Sequence, residues 1–221
     1  MGGGYWGAAD DEVSIRTVHR ALELGVTLID TAPAYGHGHS EVVVGKALAG
    51  RRQEAILSTK VAAAPGRIRG SLDDSLGRLQ TDYADVCFVH WPRRNEPLAE
   101  TMEVLEALRA EGRIRAIGVS NFTVEMMEMA SRYGTVDVLQ PPYNLIWRFI
   151  EEDALPYCRA HDIGIVTYSS LAQGLLTGTL RLNTPLRVKI IADAIAELHA
   201  IGIDTAICGS TAFWWTGARR R

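Results

Sequence analysis

Cysteine is scarce: the 221 residues hold three, Cys87, Cys158 and Cys208, far apart, two of them in apolar runs. That usage reads as buried, reduced thiols in a cytosolic protein. Excess positive charge is also missing. The formal net charge is -3, and the one basic cluster is Arg219-Arg220-Arg221. No electrostatic case exists for a nucleic-acid partner or a membrane surface. No apolar run approaches the roughly 20 residues of a membrane span. The first residues, MGGGYWGAADDE, lack a basic region followed by an apolar one, so no signal peptide is expected there. Two-residue hairpin signals and short repeats are absent too. What remains is an ordinary soluble composition, 47% apolar and 22% charged, at a length suited to one sizeable domain, residues 1–221.

The informative stretch is VTLIDTAPAYGHGHSE, Val26 to Glu41. Val26-Thr27-Leu28-Ile29 reads as a strand buried on both faces. It ends on Asp30 and gives way to a loop punctuated by Pro33, Gly36 and Gly38, in which Tyr35 lies. Taken alone, Asp30 could be a helix cap and Tyr35 a packed ring. The rest of the chain argues for more.

Asp10 or Asp11 can cap a helix to about Leu24 that turns Val13, Val18, Ala21 and Leu22 to one side, with Gly25 as its stop. Ser40 opens a second helix to about Leu48. Ser71 with Asp74 suggests a capping box for a third. Leu98 to Glu111 is clearly amphipathic, and Thr123 caps the next helix. Helices also fit Glu151 to His161 and Leu186 to Ala200. Between them run apolar strands at 26–29, 55–59, 85–89, 114–119, 136–139, 163–167 and 204–208. This alternation predicts parallel βα architecture with seven recognisable strands. The first six end on Asp30, Lys60, His90, Ser120-Asn121, Gln140 and Tyr168-Ser169. A doubly wound sheet gathers its functional groups at one switch point, whereas a (β/α)8 barrel uses every strand end. Polar groups on all six favour the barrel.

Several weaker signals carry bland readings. His37 and His39 lack carboxylate or cysteine companions at useful spacing, so no metal is expected. Gly38 to Lys46 has the wrong spacing for a phosphate loop, and no strand precedes Gly2-Gly3-Gly4. Met126, Met127 and Met129 read as helix packing, and His19, His161 and His199 as surface or interhelical groups.

In a barrel, Asp30, Tyr35, Lys60 and His90 face one mouth. A tyrosine serves as general acid near neutral pH if a cation a few ångströms away stabilises its phenolate. Lys60 is that cation, Asp30 holds its ammonium, and His90 offers a second donor to a carbonyl oxygen. Such a set protonates an oxyanion as hydride arrives at carbon, and the hydride must come from a cofactor.

These stretches resemble the aldo-keto reductases. LIDTAPAYGHGHSE (28–41), STKV (58–61), SLDDSLGRLQTDYADVCFVHWP (71–92), EGRIRAIGVSNF (111–122), LQPPYNLIWR (139–148) and YSSLAQGLLTG (168–178) carry the likeness from residue 5 to about 180. The resemblance implies a (β/α)8 TIM barrel with Asp30, Tyr35, Lys60 and His90 as the catalytic tetrad. It implies that Ser120, Asn121 and Gln140 hold the nicotinamide carboxamide and that Tyr168 stacks on the ring. Ser169, Leu171 and Gln173 would line the pyrophosphate. Gly217-Ala218-Arg219-Arg220 is similar to the segment that grips the 2′-phosphate of NADPH, with Arg219 the gripping residue. NADPH is the implied cofactor, NADH a possible one, and the substrate is a small carbonyl compound or alcohol. The chain departs from the family pattern. Its first barrel strand is expected to be absent and its C-terminal helix truncated, and Ser170 stands where a proline is usual. Open barrel edges would then permit self-association. The alternative expectation is a non-catalytic nicotinamide-binding barrel, or an inactive fragment, acting as a sensor or subunit.

Overall fold

The computed structural model describes residues 9–93 and 97–178. The glycine-rich stretch 1–8, the expected helix 186–200 and seventh strand 204–208, Cys208 and His199 lie outside the described residues. Residues 9–140 and 157–166 belong to one compact unit, and 141–156 with 167–178 to a second.

The first unit holds a six-stranded parallel sheet. Its strands are β1 (Leu28–Asp30), β2 (Ile56–Val61), β3 (Ala84–Val89), β4 (Ile114–Ser120), β5 (Val138–Gln140) and β6 (Gly164–Ile165), paired in that order. Every pairing is parallel. Strand order follows chain order without reversal. A doubly wound sheet must reverse, so this winding is that of a (β/α) barrel.

The crossovers are helical: α1 (Asp11–Glu23) precedes β1, and α2 (His39–Leu48), α3 (Pro65–Leu79), α4 (Leu98–Ala110), α5 (Val124–Ala130) and α6 (Ala154–Ala160) follow in turn. Local chemistry sets their starts. The Asp10 carboxylate accepts from the N–H groups of Glu12 and Val13, and the Thr123 hydroxyl accepts from Met126 N–H. Pro65 occupies the first turn of α3, where its missing N–H costs nothing. Ser71 and Asp74 therefore lie inside α3, and the expected capping box does not form. Helix Glu151 to His161 also divides, into a 3-10 turn at Phe149–Glu151 and α6.

The central strands are buried on both faces, as apolar runs require. Leu57, Ser58, Thr59, Lys60 and Val61 of β2 are all buried. β1 is different. Val26 is 54% exposed, and only Ile29 of the strand is buried. The run alone reads as a doubly buried strand, whereas the expected lack of a first barrel strand places it at an open edge; among the described residues the second holds, with β1 the terminal strand of the sheet, paired with β2 alone. Ile29 joins Val18, Leu22, Val44, Leu48, Leu57 and Leu79 in the core beneath α1 and α2. Val13 of α1 is nearly half exposed and stays out of it.

Helix α2 lies close against the end of α3. A Cβ on Gly45 would sit 2.7 Å from the Arg78 carbonyl oxygen, so only glycine fits. Cys87 and Cys158 are free and buried, and burial pushes the Cys87 thiol up to about 12. His19 bridges α1 and α2 through the Ala47 carbonyl, and His161 stacks on Tyr157.

Candidate active site

Strand parity builds the site. Successive side chains point to opposite faces of a sheet, so Ser58 and Lys60 share one face of β2 while Leu57 and Thr59 share the other. Ser58 Oγ donates to Asp30 Oδ1 at 2.6 Å, and Lys60 Nζ donates to Asp30 Oδ2 at 2.6 Å. Lys60 also donates to the Thr31 carbonyl oxygen at 2.9 Å. Its side chain is 1% exposed and that of Asp30 28%. A buried ammonium without such partners would carry a heavy desolvation penalty. Here two of its three protons are committed to oxygen acceptors.

Tyr35 stands in the turn that follows β1, which is closed by Tyr35 N–H donating to the Ala32 carbonyl at 3.0 Å. Lys60 Nζ is 4.9 Å from the centre of the Tyr35 ring. The ring meets that of His90 edge-on, with centroids 6.2 Å apart. His90 follows β3 directly and is pinned by its N–H to the Val61 carbonyl. Burial, then the Lys60 cation, holds the His90 imidazole below its usual range, against a smaller opposing pull from Asp30. Near neutral pH it is therefore an uncharged ring, with one N–H to donate. The structure brings Asp30, Tyr35, Lys60 and His90 into one cluster.

Beneath them Phe88, itself buried, spreads across Gly118. The register runs Lys60 to Phe88 to Gly118 on β2, β3 and β4. A Cβ on Gly118 would stand 2.2 Å from Phe88 Cδ1, so the missing side chain is what lets the ring lie there.

A second polar group forms at the ends of β4 and β5. Ser120 and Gln140 are buried. Ser120 Oγ donates to the Gln140 carbonyl at 2.9 Å, and the Asn121 N–H reaches the same oxygen at 3.3 Å. Asn121 adopts φ 63°, a left-handed conformation that Asn tolerates better than most residues. Its amide donates to the His90 carbonyl at 3.0 Å, joining this group to the first.

Tyr168, Ser169, Leu171 and Gln173 belong to the other unit. Tyr168 N–H donates to the Pro141 carbonyl and its carbonyl accepts from Tyr143 N–H. Ser169, Ala172, Gln173 and Gly174 all have positive φ. Asn144 supports this turn: its amide donates to the Ser169 carbonyl, and its Oδ1 accepts from Ile146 and Trp147 N–H. Arg219 lies outside the described residues. No group of three or more His, Cys, Asp or Glu suited to a metal occurs among the described residues.

Sequence reasoning gave no site role to Thr31, Ser40, Ser58, Glu41 or Asn144. The one available signal was hydroxyls inside apolar strands, at Ser58 and Thr59. The partners of the others lie far off in sequence.

Comparison with known proteins puts a family to this geometry. Residues 1–199 match the description “Aldo/keto reductase family”. Aldo-keto reductase YhdN of Bacillus subtilis (strain 168) is 47% identical over 193 residues, which cover 81% of this chain and 58% of that protein. The NADH-specific methylglyoxal reductase of Escherichia coli (strain K12) is 38% identical over 205 residues, 81% of this chain and 63% of that one. The chain thus spans about three-fifths of the length of these two relatives. An aldo/keto reductase from Klebsiella pneumoniae, solved in complex with NADP and acetate, superposes with a TM-score of 0.73 at 36% identity, over 93% of this chain and 73% of its own. The fold is the aldo-keto reductase (β/α)8 barrel, of which six strands are described, and the chain belongs to the aldo/keto reductase family.

Proposed function

We propose that this chain reduces small aldehydes or ketones to alcohols, or runs the reverse reaction, with NADPH as the nicotinamide cofactor and NADH as a possible substitute. The observation that carries the proposal is the buried Lys60 ammonium, held by Asp30 and lying 4.9 Å from the Tyr35 ring. A cation over that ring can act on the negative charge left on the Tyr35 side chain once its proton has gone to substrate. The residues present also fit the group. Buried Ser120 and Gln140 with Asn121 offer amide and hydroxyl partners for a carboxamide. The turn through Ser169 and Gln173, with its run of positive φ, resembles the backbone nests that accept phosphate oxygens. Tyr168 would supply an aromatic face, Leu171 and Gln173 would flank the pyrophosphate, and Arg219 would meet the 2′-phosphate.

The bound cofactor supplies the hydride. Tyr35 releases its proton to the carbonyl oxygen as negative charge builds there. Lys60 stabilises the phenolate that remains, and Asp30 keeps the ammonium in register. His90, uncharged, donates its one N–H to the same oxygen and orients the substrate. Exposed Trp91 adjoins His90, with ring centroids 6.3 Å apart, and offers an apolar wall beside the carbonyl. The methylglyoxal reductase among the relatives makes 2-oxoaldehydes the first substrates to try. We further place the protein in the cytoplasm, in keeping with its buried free thiols. Self-association would use the sheet edges at β1 and β6, each paired on one side only among the described residues.

The test is Tyr35→Phe, which keeps the ring and removes the proton. It should lower carbonyl reduction about 10²-fold or more while coenzyme affinity stays within a factor of about two. Lys60→Met should act in the same direction. Coenzyme binding without turnover in the parent chain would favour the sensor reading instead.

A further inference from the structure

Thr31 sits between the Asp30 carboxylate and the loop that carries Tyr35, and it has no exposed surface. A threonine buried so completely has three polar groups to satisfy. Each goes to a different neighbour. Its N–H donates to the Ser58 carbonyl on β2 at 3.0 Å. Its carbonyl accepts from Lys60 Nζ at 2.9 Å. Its hydroxyl donates to Ser40 Oγ, in the first turn of α2, at 2.9 Å.

Ser40 is buried as well, and its own N–H donates to the Tyr35 carbonyl at 3.2 Å. One short path therefore runs from Lys60 through Thr31 and Ser40 to the backbone of Tyr35. The turn of α2 that makes it is itself anchored. Glu41, the next residue, accepts from Thr59 Oγ1 at 2.6 Å and from Arg78 Nε at 2.7 Å. Two consecutive residues of α2 thus grip the two threonines that adjoin Asp30 and Lys60 in sequence. Packing alone does not call for a hydroxyl at position 31. Valine has the same shape and would need no partner in that layer.

We propose that Thr31, latched by Ser40, is a positioning residue for proton transfer: it holds the Tyr35 loop at a fixed height over Lys60 Nζ. The inference rests on Tyr35 being the proton donor. Tyr35 is 40% exposed, and the contacts of its ring with His90 and Lys60 restrain it on the inner side alone. Its placement falls to the backbone of a loop, and the latch is what fixes that backbone to α2. A misplacement of about 1 Å is enough to cost on the order of 10²-fold in rate.

Steady-state carbonyl reduction by the full chain, with coenzyme titration alongside, decides the matter. Thr31→Val should lower kcat about tenfold or more at unchanged coenzyme Kd. Thr31→Ser keeps the hydroxyl and should restore kcat to within about threefold. Ser40→Ala removes the acceptor from the other side and should repeat the loss, which keeps the test open if Thr31→Val fails to fold. In a Tyr35→Phe background, Thr31→Val should cost nothing further, because the group it positions is gone. A Thr31→Val chain with parental kcat overturns the proposal. So does a loss that persists in the Tyr35→Phe background, or one that tracks weaker coenzyme binding. Full activity in Tyr35→Phe alone would instead overturn the assignment of the acid, a result distinct from failure of the latch.

Discussion

Removing Arg78 should expose how strongly the back of the site depends on one buried charge. Glu41 is 0% exposed, and its carboxylate is held by the Thr59 hydroxyl at 2.6 Å and by Arg78 Nε and Nη2, both at 2.7 Å. Arg78→Met keeps most of the apolar stem and deletes the guanidinium. Glu41 is then left with one hydroxyl for a full negative charge. Breaking a buried pair by removing one partner typically costs about 3–5 kcal/mol. Arg78 is 31% exposed, so water can enter the vacated space and the lower end, about 3 kcal/mol, applies. In urea, with a slope of about 1–3 kcal/mol per molar, the midpoint should fall by roughly 1–3 M. In a thermal melt the loss should read as about 6–12 °C. Adding Glu41→Gln removes the stranded charge, and the Gln carbonyl can still accept from Thr59. The double variant should therefore be more stable than Arg78→Met alone. A loss under about 1 kcal/mol in the single variant, or simple additivity of the two changes, would refute the reasoning.

Two further perturbations probe the floor and the rim of the site. Gly118→Ala places a methyl group 2.2 Å from Phe88 and should destabilise the chain by about 1–3 kcal/mol in the same melts, whereas an unchanged midpoint would mean Phe88 does not fill that layer. His90 titrates below its usual range in the fold, so the unfolded chain binds a proton more readily than the folded one. Its contribution is therefore complete above about pH 6.5 and is lost as pH falls toward the folded value. Urea midpoints between pH 7.5 and 5 should drop more steeply for the parent than for His90→Asn, and equal slopes would contradict the assignment.

The parts of the fold legible in sequence are those whose physics is local. Parallel strands buried on both faces show as unbroken apolar runs, so 85–89 and 114–119 announced β3 and β4 nearly to the residue. Asp10 and Thr123 signalled helix starts because a cap lies within three residues of what it caps. Where two local signals competed, the one with the smaller alternative cost won. Pro65 in the first turn of α3 overrode Ser71 and Asp74. β1 needed two readings, the apolar run for the strand and the expected lack of a first barrel strand for its place at an edge. An apolar run says a strand wants burial, but not whether neighbours exist on both sides, and Val26 is exposed for lack of one among the described residues. Asp30, Lys60 and His90 stood out because each ends an apolar run with a group that water would otherwise claim.

The residues that hold those groups in place carried no such mark, and strand parity explains the asymmetry. On β2 the face of Ser58 and Lys60 turns to Asp30, while the face of Leu57 and Thr59 turns to the helices. Both faces are buried, so no alternation in hydrophobicity reveals which polar group belongs to which side. Thr59 reads in sequence as one more β-branched residue of a strand. Its meaning comes only from Glu41, eighteen positions earlier on α2, and from Arg78 on α3. The same holds for Thr31 and Ser40, nine positions apart across the Tyr35 loop. Reactive side chains at strand ends must contrast with their surroundings, since their chemistry needs charge or a mobile proton. Supporting side chains must blend in, because each is satisfied by a partner that only the folded chain brings near. A site of this kind therefore shows its chemistry in one dimension and its rigidity only in three.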